Sequence, residues 1–213
     1  MNKVDLTLYL VTDSSYHSEE EFLHIVEEGL KGGVTLLQLR EKNCVGKEYL
    51  ERAIKVKAIA DRYNVPLIID DRVDVAIACD VAGVHVGQSD LPVAVARKLL
   101  GPDKIVGATA KTVEQAKEAF EQGADYLGVG AIYPTATKVK TVITKVETIT
   151  DIKNAVPLPV VAIGGLDADN LDILKGAPVD GVAVVRAIIK ADNPKDTAEN
   201  IKNKVLEIKS AHL

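Results

Sequence analysis

The 213-residue sequence predicts an α/β fold, namely a (β/α)8 (TIM) barrel in a single domain over residues 1–213. Eight short apolar runs rich in Val and Ile alternate with segments of helical periodicity, a pattern typical of parallel strands buried on both faces. No linker or change of composition divides the chain. The alternative, a doubly wound open sheet, is disfavoured because no Gly-x-Gly-x-x-Gly pattern follows the first strand, whereas glycines cluster after strands six to eight.

The first half of the chain contains four β-then-α units. The predicted strands cover 6–11, 34–39, 66–69 and 83–86. Ser18 followed by Glu21 is a capping-box signature for the first helix. The stretch 73–78 has room only for a brief helix. Pro92 is suited to the first position of the fourth helix, where its missing N–H costs no hydrogen bond.

The second half repeats this order. Its predicted strands cover 105–109, 126–129, 159–163 and 181–185. Thr112 with Gln115 predicts the start of the fifth helix, with Phe120 on its inward face. The loop 130–138 is longer than its neighbours, and such loops are usually functional. We expect a helix over 167–175 and a last helix with apolar residues at helical spacing, at Ala198, Ile201, Val205 and Ile208.

Composition and charge exclude several classes of protein. The 26 Lys and Arg residues against 31 Asp and Glu give a net charge of −5, so no overall positive field recruits nucleic acid or an anionic membrane. The two cysteines, Cys44 and Cys79, exclude a disulfide scaffold and predict free thiols. Without a membrane-spanning run or a signal-peptide pattern, the sequence predicts a cytoplasmic protein. A homo-oligomer stays open.

In a (β/α)8 barrel the carboxyl ends of all strands open on one face, where active sites of this fold lie. Strand two ends in three successive charged residues, of which Arg40 and Lys42 are suited to phosphate oxygens. An ordinary strand-to-loop junction with solvated charges is the alternative interpretation of this stretch. The polar side chains expected at this face are Gln38, Arg40, Glu41, Lys42, Asp70, Asp71, Gln88, Asp90, Thr109, Thr135, Thr137 and Lys138.

Two acidic clusters on adjacent strand tips suit Mg²⁺. Asp70 and Asp71 follow strand three and Asp90 follows strand four. Mg²⁺ is a hard ion that binds through one or two carboxylates, several waters and substrate phosphate oxygens. The alternative is that Asp71 pairs with Arg72 and that Asp90 caps the helix beginning at Pro92. Spacing alone leaves both interpretations open.

Glycines and a helix start predict a separate phosphate site. Gly164 and Gly165 follow strand seven, and the turn after Val185 leads into a helix whose N–H groups would face an anion. The loop 135–138 adds hydroxyls and an ammonium group. Two phosphorylated groups are therefore expected, and the metal pair favours a diphosphate for one of them.

His85 lies within strand four between two valines, which favours a half-buried structural histidine over a general base. The sequence contains no Ser-His-Asp arrangement and no reactive-thiol signature. Nucleophilic catalysis by the protein is therefore not indicated.

Six motifs, in order along nearly the whole chain, resemble the thiamine-phosphate synthase family. They are QLREK at 38–42, IIDDRVD at 68–74, GVHVGQSD at 83–90, YPTATK at 133–138, VAIGG at 161–165 and GVAVV at 181–185. None of them is decisive alone, but six in register are specific. The resemblance implies a (β/α)8 barrel transferase. Such an enzyme joins 4-amino-5-hydroxymethyl-2-methylpyrimidine diphosphate to a thiazole phosphate, forming thiamine monophosphate and diphosphate with Mg²⁺ as cofactor.

The resemblance also implies roles for individual residues. The residues expected to bind the pyrimidine diphosphate are Gln38, Leu39, Arg40, Glu41, Lys42, Asp70, Thr109 and Lys138. Those expected to bind the thiazole phosphate are Thr135, Ala136, Thr137, Gly165, Val185 and Arg186. Asp71 and Asp90 would hold Mg²⁺. Lys42, Lys138 and Arg40 would be catalytic, because they stabilise the departing diphosphate while the pyrimidine methylene ionises towards a carbocation that the thiazole nitrogen captures.

The chain departs from the family pattern at four positions and in the segment 139–144, which lacks the usual acidic residue after Lys138. Asn is usual where Asp70 stands, which places a negative charge beside the diphosphate. Ser is usual at Thr109 and at Arg186, and Gly is common at Lys145. These departures concern how the substrates are held and leave the expected fold unchanged.

Three other functions compete with the synthase reaction. A thiazole tautomerase-like paralogue would have lost Lys42 and the metal pair and gained a histidine near the tip of strand five, where this chain has Lys111. A catalytically silent thiamine-phosphate binding protein stays open. A tryptophan-pathway isomerase on the same fold has no role for Asp71 and Asp90.

Overall fold

The structure, a computed structural model, describes residues 4–135 and 142–211. Within these ranges eight parallel strands form a closed barrel in which each strand pairs with the next and β8 pairs with β1. The strands are β1 Leu8–Val11, β2 Leu36–Leu39, β3 Leu67–Asp70, β4 Gly83–Val86, β5 Ile105–Ala110, β6 Tyr126–Gly130, β7 Val160–Ile163 and β8 Gly181–Val184. The predicted (β/α)8 barrel is therefore confirmed, whereas the single domain over 1–213 stays a prediction.

Helices cover the outside of the barrel. They are α1 Glu19–Lys31, α2 Gly46–Arg62, α3 Val73–Ala78, α4 Val93–Leu100, α5 Val113–Glu121, α6 Glu147–Ala155, α7 Arg186–Ile189 and α8 Pro194–Ser210. The Ser18–Glu21 capping box begins α1 as predicted. In the described part of the chain, none of these helices has both the length and the apolar character that crossing a membrane requires.

Three local predictions were wrong. Phe120 is 38% exposed, because α5 packs on the barrel through the small residues Ala116 and Ala119. The stretch 167–175 contains only a 3₁₀ turn at Leu171–Leu174, since side chains at its start bond to local backbone N–H groups in place of a helical turn. Pro92 lies one position earlier than expected, as the N-cap residue before α4.

Strand residues alternate between two cores. Leu8, Leu10 and Leu37 pack under the helices, whereas their neighbours in the strands point into the barrel. The inner core comprises Leu6, Tyr9, Val11, Leu36, Ile68, Ile105, Tyr126, Val161 and Ala183. Because successive side chains point to opposite faces, the same alternation directs the polar residues at the strand ends into the barrel mouth. These are Gln38, Asp70, His85 and Thr109.

Two glycines make room for the rings inside the barrel. A Cβ atom on Gly107 of β5 would overlap the Tyr126 ring. A Cβ on Gly128 of β6 would lie 3.2 Å from Cε1 of His85. The barrel interior is thus shaped around one tyrosine and one histidine side chain.

Candidate active site at the carboxyl ends of the strands

The end of β2 supplies the cationic part of the site. Gln38 is buried and its amide Nε2 donates to the hydroxyl of Tyr9. The Arg40 backbone N–H donates to Thr12 Oγ1 over 3.1 Å, which anchors this residue to the end of β1. The Arg40 guanidinium lies 3.8 Å from Asp70 and 3.9 Å from Asp13. Its orientation is therefore set by carboxylates on both sides.

Lys42 lies between two carboxylates at the tip of β3. Its Nζ is 2.7 Å from Asp70 Oδ2 and also contacts Asp71 Oδ2. Burial opposes the charged form of Lys42, but the two carboxylates outweigh it and raise its pKa above the ordinary value. Asp71 has a φ of 60°, in the left-handed region, and such backbone positions cluster at functional sites. Lys42 thus keeps its positive charge at the barrel mouth.

Asp71 and Asp90 form a carboxylate pair. Burial and a hydrogen bond with Asp71 raise the pKa of Asp90, although the Gly87 backbone N–H, which donates to Asp90 Oδ2 over 2.8 Å, opposes this rise. Two carboxyl groups that share a hydrogen bond are a site where a hard cation can replace a proton. Among the described residues, no group of three or more His, Cys, Asp or Glu side chains is placed to hold a metal ion.

The alternative interpretation of these carboxylates was wrong. Arg72 pairs with Asp74 at 2.5 Å, and Asp71 contacts Lys42 instead. Asp90 accepts from the Gly87 backbone, and no side-chain hydrogen bond caps α4. Asp71 therefore does not pair with Arg72, and Asp90 does not cap α4 but bonds to the backbone of its own loop.

Glu41 turns away from this cluster to the outer wall of the mouth. Its Oε2 accepts from Ser14 Oγ at 2.8 Å and from Arg52 Nη1 at 2.9 Å. Burial raises the pKa of the Glu41 carboxyl in spite of Ser14 and Arg52. Glu41 Oε1 and Arg52 Nε are buried without a hydrogen-bond partner among the described residues. No sequence pattern pointed to Ser14 or Arg52, because their side chains meet Glu41 only in the folded chain.

An open cleft of about 440 Å³ lies against these residues. Its lining includes Arg40, Glu41 and Lys42 from the end of β2, together with Ser14 and Arg52. A cleft of this size is in the range of small-molecule sites. The predicted charged tip of β2 therefore borders a space that a ligand can enter.

The turn after β7 packs against the loop after β6. Gly165 has a φ of 66°, and a Cβ at this position would lie 2.6 Å from Tyr133 Cβ. The Tyr133 backbone N–H donates to Gly164 O over 2.9 Å. This close approach brings Gly165 beside the segment that leads to half-buried Thr135. Glycine is required here because the turn is left-handed and tightly covered.

Two more of the predicted site residues lie directly after β8. Val185 is half-buried and precedes the four-residue helix α7, whose first residue, Arg186, is exposed. Ala136, Thr137 and Lys138 lie outside the described residues.

Inside the barrel, hydrogen bonds connect side chains from five strands. The hydroxyl of Tyr9, which accepts from Gln38, lies 2.9 Å from the Tyr126 hydroxyl. The Tyr126 hydroxyl lies 3.0 Å from His85 Nδ1, and His85 Nε2 lies 3.0 Å from Thr109 Oγ1. We call these five residues the interior chain. Sequence reasoning missed Tyr9 and Tyr126, although their in-facing positions on β1 and β6 were a usable signal.

Comparison with known proteins gives the family. The sequence model of a family described as thiamine monophosphate synthase matches residues 8–188. This chain belongs to that family. A thiamine-phosphate synthase from Methanobrevibacter smithii is 50% identical over 201 residues, which are 94% of this chain and 96% of the relative. Thiamine-phosphate synthase 2 from Streptococcus pneumoniae is 54% identical over 193 residues, 91% of this chain and 92% of the relative.

A solved structure of a family member supports the same assignment. Thiamine phosphate pyrophosphorylase from Pyrococcus furiosus superposes with a TM-score of 0.87 at 36% identity, covering 96% of this chain and 98% of that chain. The predictions of the thiamine-phosphate synthase family and of a transferase are thereby confirmed.

The departures of this family member lie where the charges meet. Asp70 pairs with Lys42 and contacts Arg40, so a negative charge lies at a position where the resemblance leads us to expect an amide. Thr109 keeps a hydroxyl, which bonds to His85. Lys111 follows the end of β5, where a tautomerase-like paralogue would carry a histidine. Among these positions, Asp70 changes the charge balance of the site, because it adds a carboxylate beside Lys42 and Arg40.

Proposed function

We propose that this chain joins 4-amino-5-hydroxymethyl-2-methylpyrimidine diphosphate to a thiazole phosphate, releasing diphosphate and forming thiamine monophosphate. The observation that carries this proposal is the cluster at the barrel mouth, in which Lys42 contacts Asp70 and Asp71. Cations beside a carboxylate pair suit a diphosphate that departs with a divalent cation. Relatives named thiamine-phosphate synthase, about half identical over most of the chain, support it.

Asp71 and Asp90 fit Mg²⁺ by their chemistry. Both are oxygen donors, and the hydrogen bond between them would give way to a cation that takes two carboxylates. Two protein ligands suffice when substrate phosphate oxygens and waters complete the octahedron. Bound Mg²⁺ would neutralise charge on the diphosphate.

The residues of the chain act on the diphosphate by position and charge. Lys42 would turn from Asp70 and Asp71 to the diphosphate oxygens and stabilise the charge that grows as the bond to the pyrimidine methylene breaks. Arg40 would hold the same group by paired N–H donors. Lys138 keeps its predicted role as a further cation. The methylene carbocation would then be captured by the thiazole nitrogen.

The thiazole phosphate would bind between the tips of β6, β7 and β8. The close contact of Gly165 with Tyr133 supports this, because it holds the turn after β7 beside the loop that leads to Thr135. Thr135, with Ala136 and Thr137, would contribute from the β6 loop. The Val185–Arg186 turn would close the site, and the exposed Arg186 guanidinium would pair with the phosphate.

The pyrimidine ring would enter the barrel mouth towards Gln38 and Thr109. Both side chains point into the barrel and are tied to the interior chain. Leu39 is fully buried in the core under the helices, so of these two predicted residues only Glu41 would border the diphosphate side. A cytoplasmic location and a homo-oligomer remain predictions from the sequence.

A direct assay tests this function. Purified protein is mixed with both substrates and Mg²⁺, and thiamine monophosphate is measured by fluorescence after oxidation to thiochrome, with EDTA in a parallel reaction. We expect product that depends on the metal and on both substrates. Binding of thiazole phosphate without product would favour the tautomerase-like or the binding-only alternative. A tautomerase would moreover convert a thiazole phosphate isomer without the pyrimidine or Mg²⁺.

A further inference from the structure

The interior chain has one consistent direction of proton donation. Gln38 Nε2 can only donate, so the Tyr9 oxygen accepts and the Tyr9 proton is available for Tyr126. Tyr126 then donates to Nδ1 of His85, which lies 3.0 Å away. As the neutral imidazole, His85 then carries its ring proton on Nε2 and donates it to Thr109 Oγ1. In this chain, each hydrogen bond determines whether the next group donates or accepts.

Both tyrosines keep the protons that this direction requires. Burial raises the pKa of Tyr9, and the neighbouring Tyr126 raises it further. Burial likewise raises the pKa of Tyr126, although the hydrogen bond from Tyr9 opposes this. Tyr9 and Tyr126 are 2% and 0% exposed, so each hydroxyl is one donor and one acceptor at ordinary pH. The opposite direction would leave Tyr9 accepting two hydrogen bonds.

Tyr126 occupies the centre of this chain. Its hydroxyl is the link between the Tyr9–Gln38 half and the His85–Thr109 half. The ring is held edge-on to Tyr9, with 6.0 Å between centroids and an interplanar angle of 80°. Gly107 leaves the space that the ring fills. The ring position is thus fixed independently of any ligand.

We propose that Tyr126 is a positioning residue that, through its hydroxyl, holds His85 as the Nε2–H tautomer and holds the Gln38 amide with Oε1 towards the ligand. Gln38 then offers a hydrogen-bond acceptor, and Thr109, whose oxygen is occupied by His85, offers its own proton. Gln38 lies on β2 and Thr109 on β5, so the acceptor and the donor would meet an amino group and an unprotonated ring nitrogen on different sides of one ligand ring. The 4-aminopyrimidine of the proposed substrate carries both groups, so this part of the inference rests on the proposed function.

The tautomer is measured without any substrate. Ring ¹⁵N chemical shifts are recorded on the ¹⁵N-labelled full chain at mildly alkaline pH, and the His85→Gln variant identifies the His85 signals among those of the four histidines. We expect an unprotonated Nδ1 and a protonated Nε2. In Tyr126→Phe we expect the Nδ1 signal to move, because its donor is lost. A protonated Nδ1 in the parent, or an unmoved Nδ1 signal in Tyr126→Phe, would overturn the proposal.

Kinetics test the consequence for the ligand. Tyr126→Phe is expected to raise the KM for the pyrimidine diphosphate by about tenfold, the effect of one misplaced hydrogen bond, while kcat and the KM for the thiazole phosphate change less than twofold. Tyr63→Phe is the matched control, because it removes a tyrosine hydroxyl that bonds to Glu27 at 2.8 Å, away from the interior chain. If only stability falls in Tyr126→Phe, the positioning role is refuted.

The two readouts separate the inference from the proposed function. If the parent forms no product but shows the expected tautomer and the shift in Tyr126→Phe, the proposed function fails and the positioning of His85 stands. If Tyr126→Phe does not fold, Tyr9→Phe interrupts the same chain between Gln38 and Tyr126 and is judged by the KM for the pyrimidine diphosphate. An unmoved KM for the pyrimidine diphosphate in Tyr9→Phe would then refute the chain.

Discussion

The Nζ of Lys42 lies 2.7 Å from Oδ2 of Asp70. Asp70 is 9% exposed, so this ion pair is shielded from solvent more than a surface pair would be. The cation that we assign to the diphosphate is therefore already neutralised when no substrate is bound. Substrate binding must exchange one partner of Lys42 for another.

Replacing Asp70 should release this cation. In Asp70→Asn we expect the KM for the pyrimidine diphosphate to fall about fivefold, because a negative charge beside the phosphates is removed while an amide donor is gained. Steady-state kinetics at fixed Mg²⁺ measure the change. Asp74→Asn is the control, since Asp74 pairs with Arg72 outside the cluster. A higher KM in Asp70→Asn would show that Asp70 orients Lys42 rather than competing for it.

Removing the cation itself should slow turnover. In Lys42→Met we expect kcat to fall by about 10²–10³-fold, the usual effect of losing one group that stabilises transition-state charge. Lys47→Met is the matched control, because Lys47 is 85% exposed and pairs only weakly with Glu51. Circular dichroism and thermal unfolding establish that both variants fold. An unchanged kcat in Lys42→Met would exclude Lys42 from the chemical step.

The metal assignment predicts a shift in Mg²⁺ dependence. In Asp71→Asn the Mg²⁺ concentration for half-maximal activity should rise by at least about tenfold, because one of two carboxylate ligands becomes a neutral amide. Asp172→Asn, in which an exposed carboxylate that pairs with Lys175 is neutralised, should leave the titration unchanged. Identical metal titrations for the parent and Asp71→Asn would contradict the assignment.

Glu41 gives a prediction for the pH dependence of stability. Its folded-state pKa is raised above 4.5 by burial, so the folded protein binds this proton more tightly than the unfolded chain does. Above the folded-state pKa, the ionised Glu41 carboxylate therefore lowers the free energy of unfolding. This loss of stability disappears as the pH falls through the folded-state pKa towards 4.5.

Glu41→Gln removes the charge and keeps an oxygen for Ser14 and Arg52. We expect the stability of this variant relative to the parent to be higher near neutral pH than near pH 4.5. Urea unfolding at both pH values measures the difference. A relative stability that is equal at both pH values, or larger at the acidic one, would show that Arg52 outweighs burial.

The sequence predicts the fold well because short apolar strands and capped helices are local signals. The Ser18–Glu21 capping box and the brief helix over 73–78 appear in the structure as the local pattern indicates. Phe120 shows the limit of the helical pattern, because packing on the small residues of α5 turns its ring outward. The order of strands also places the tips of β2, β3 and β4 together, since all parallel strands end on one face.

Which site residues contact each other could be found only from the three-dimensional structure. Spacing allowed Asp71 to pair with Arg72, but the fold gives it Lys42, which is 29 residues away in the chain. The contact between Tyr9 and Tyr126 joins residues 117 positions apart. The periodicity of apolar residues in the sequence cannot predict contacts between residues so far apart in the chain, because these contacts depend on how the barrel closes. The alternation of in-facing and out-facing residues does predict which strand side chains line the interior.

The proposed reaction is tested most directly by measuring thiamine monophosphate and diphosphate together in one reaction. We expect both products in equal amounts, only with the pyrimidine diphosphate, the thiazole phosphate and Mg²⁺ all present, and we expect Lys42→Met to slow both equally. If the purified, folded protein releases neither product from these substrates, or releases diphosphate without thiamine monophosphate at any thiazole phosphate concentration, the proposed reaction is wrong.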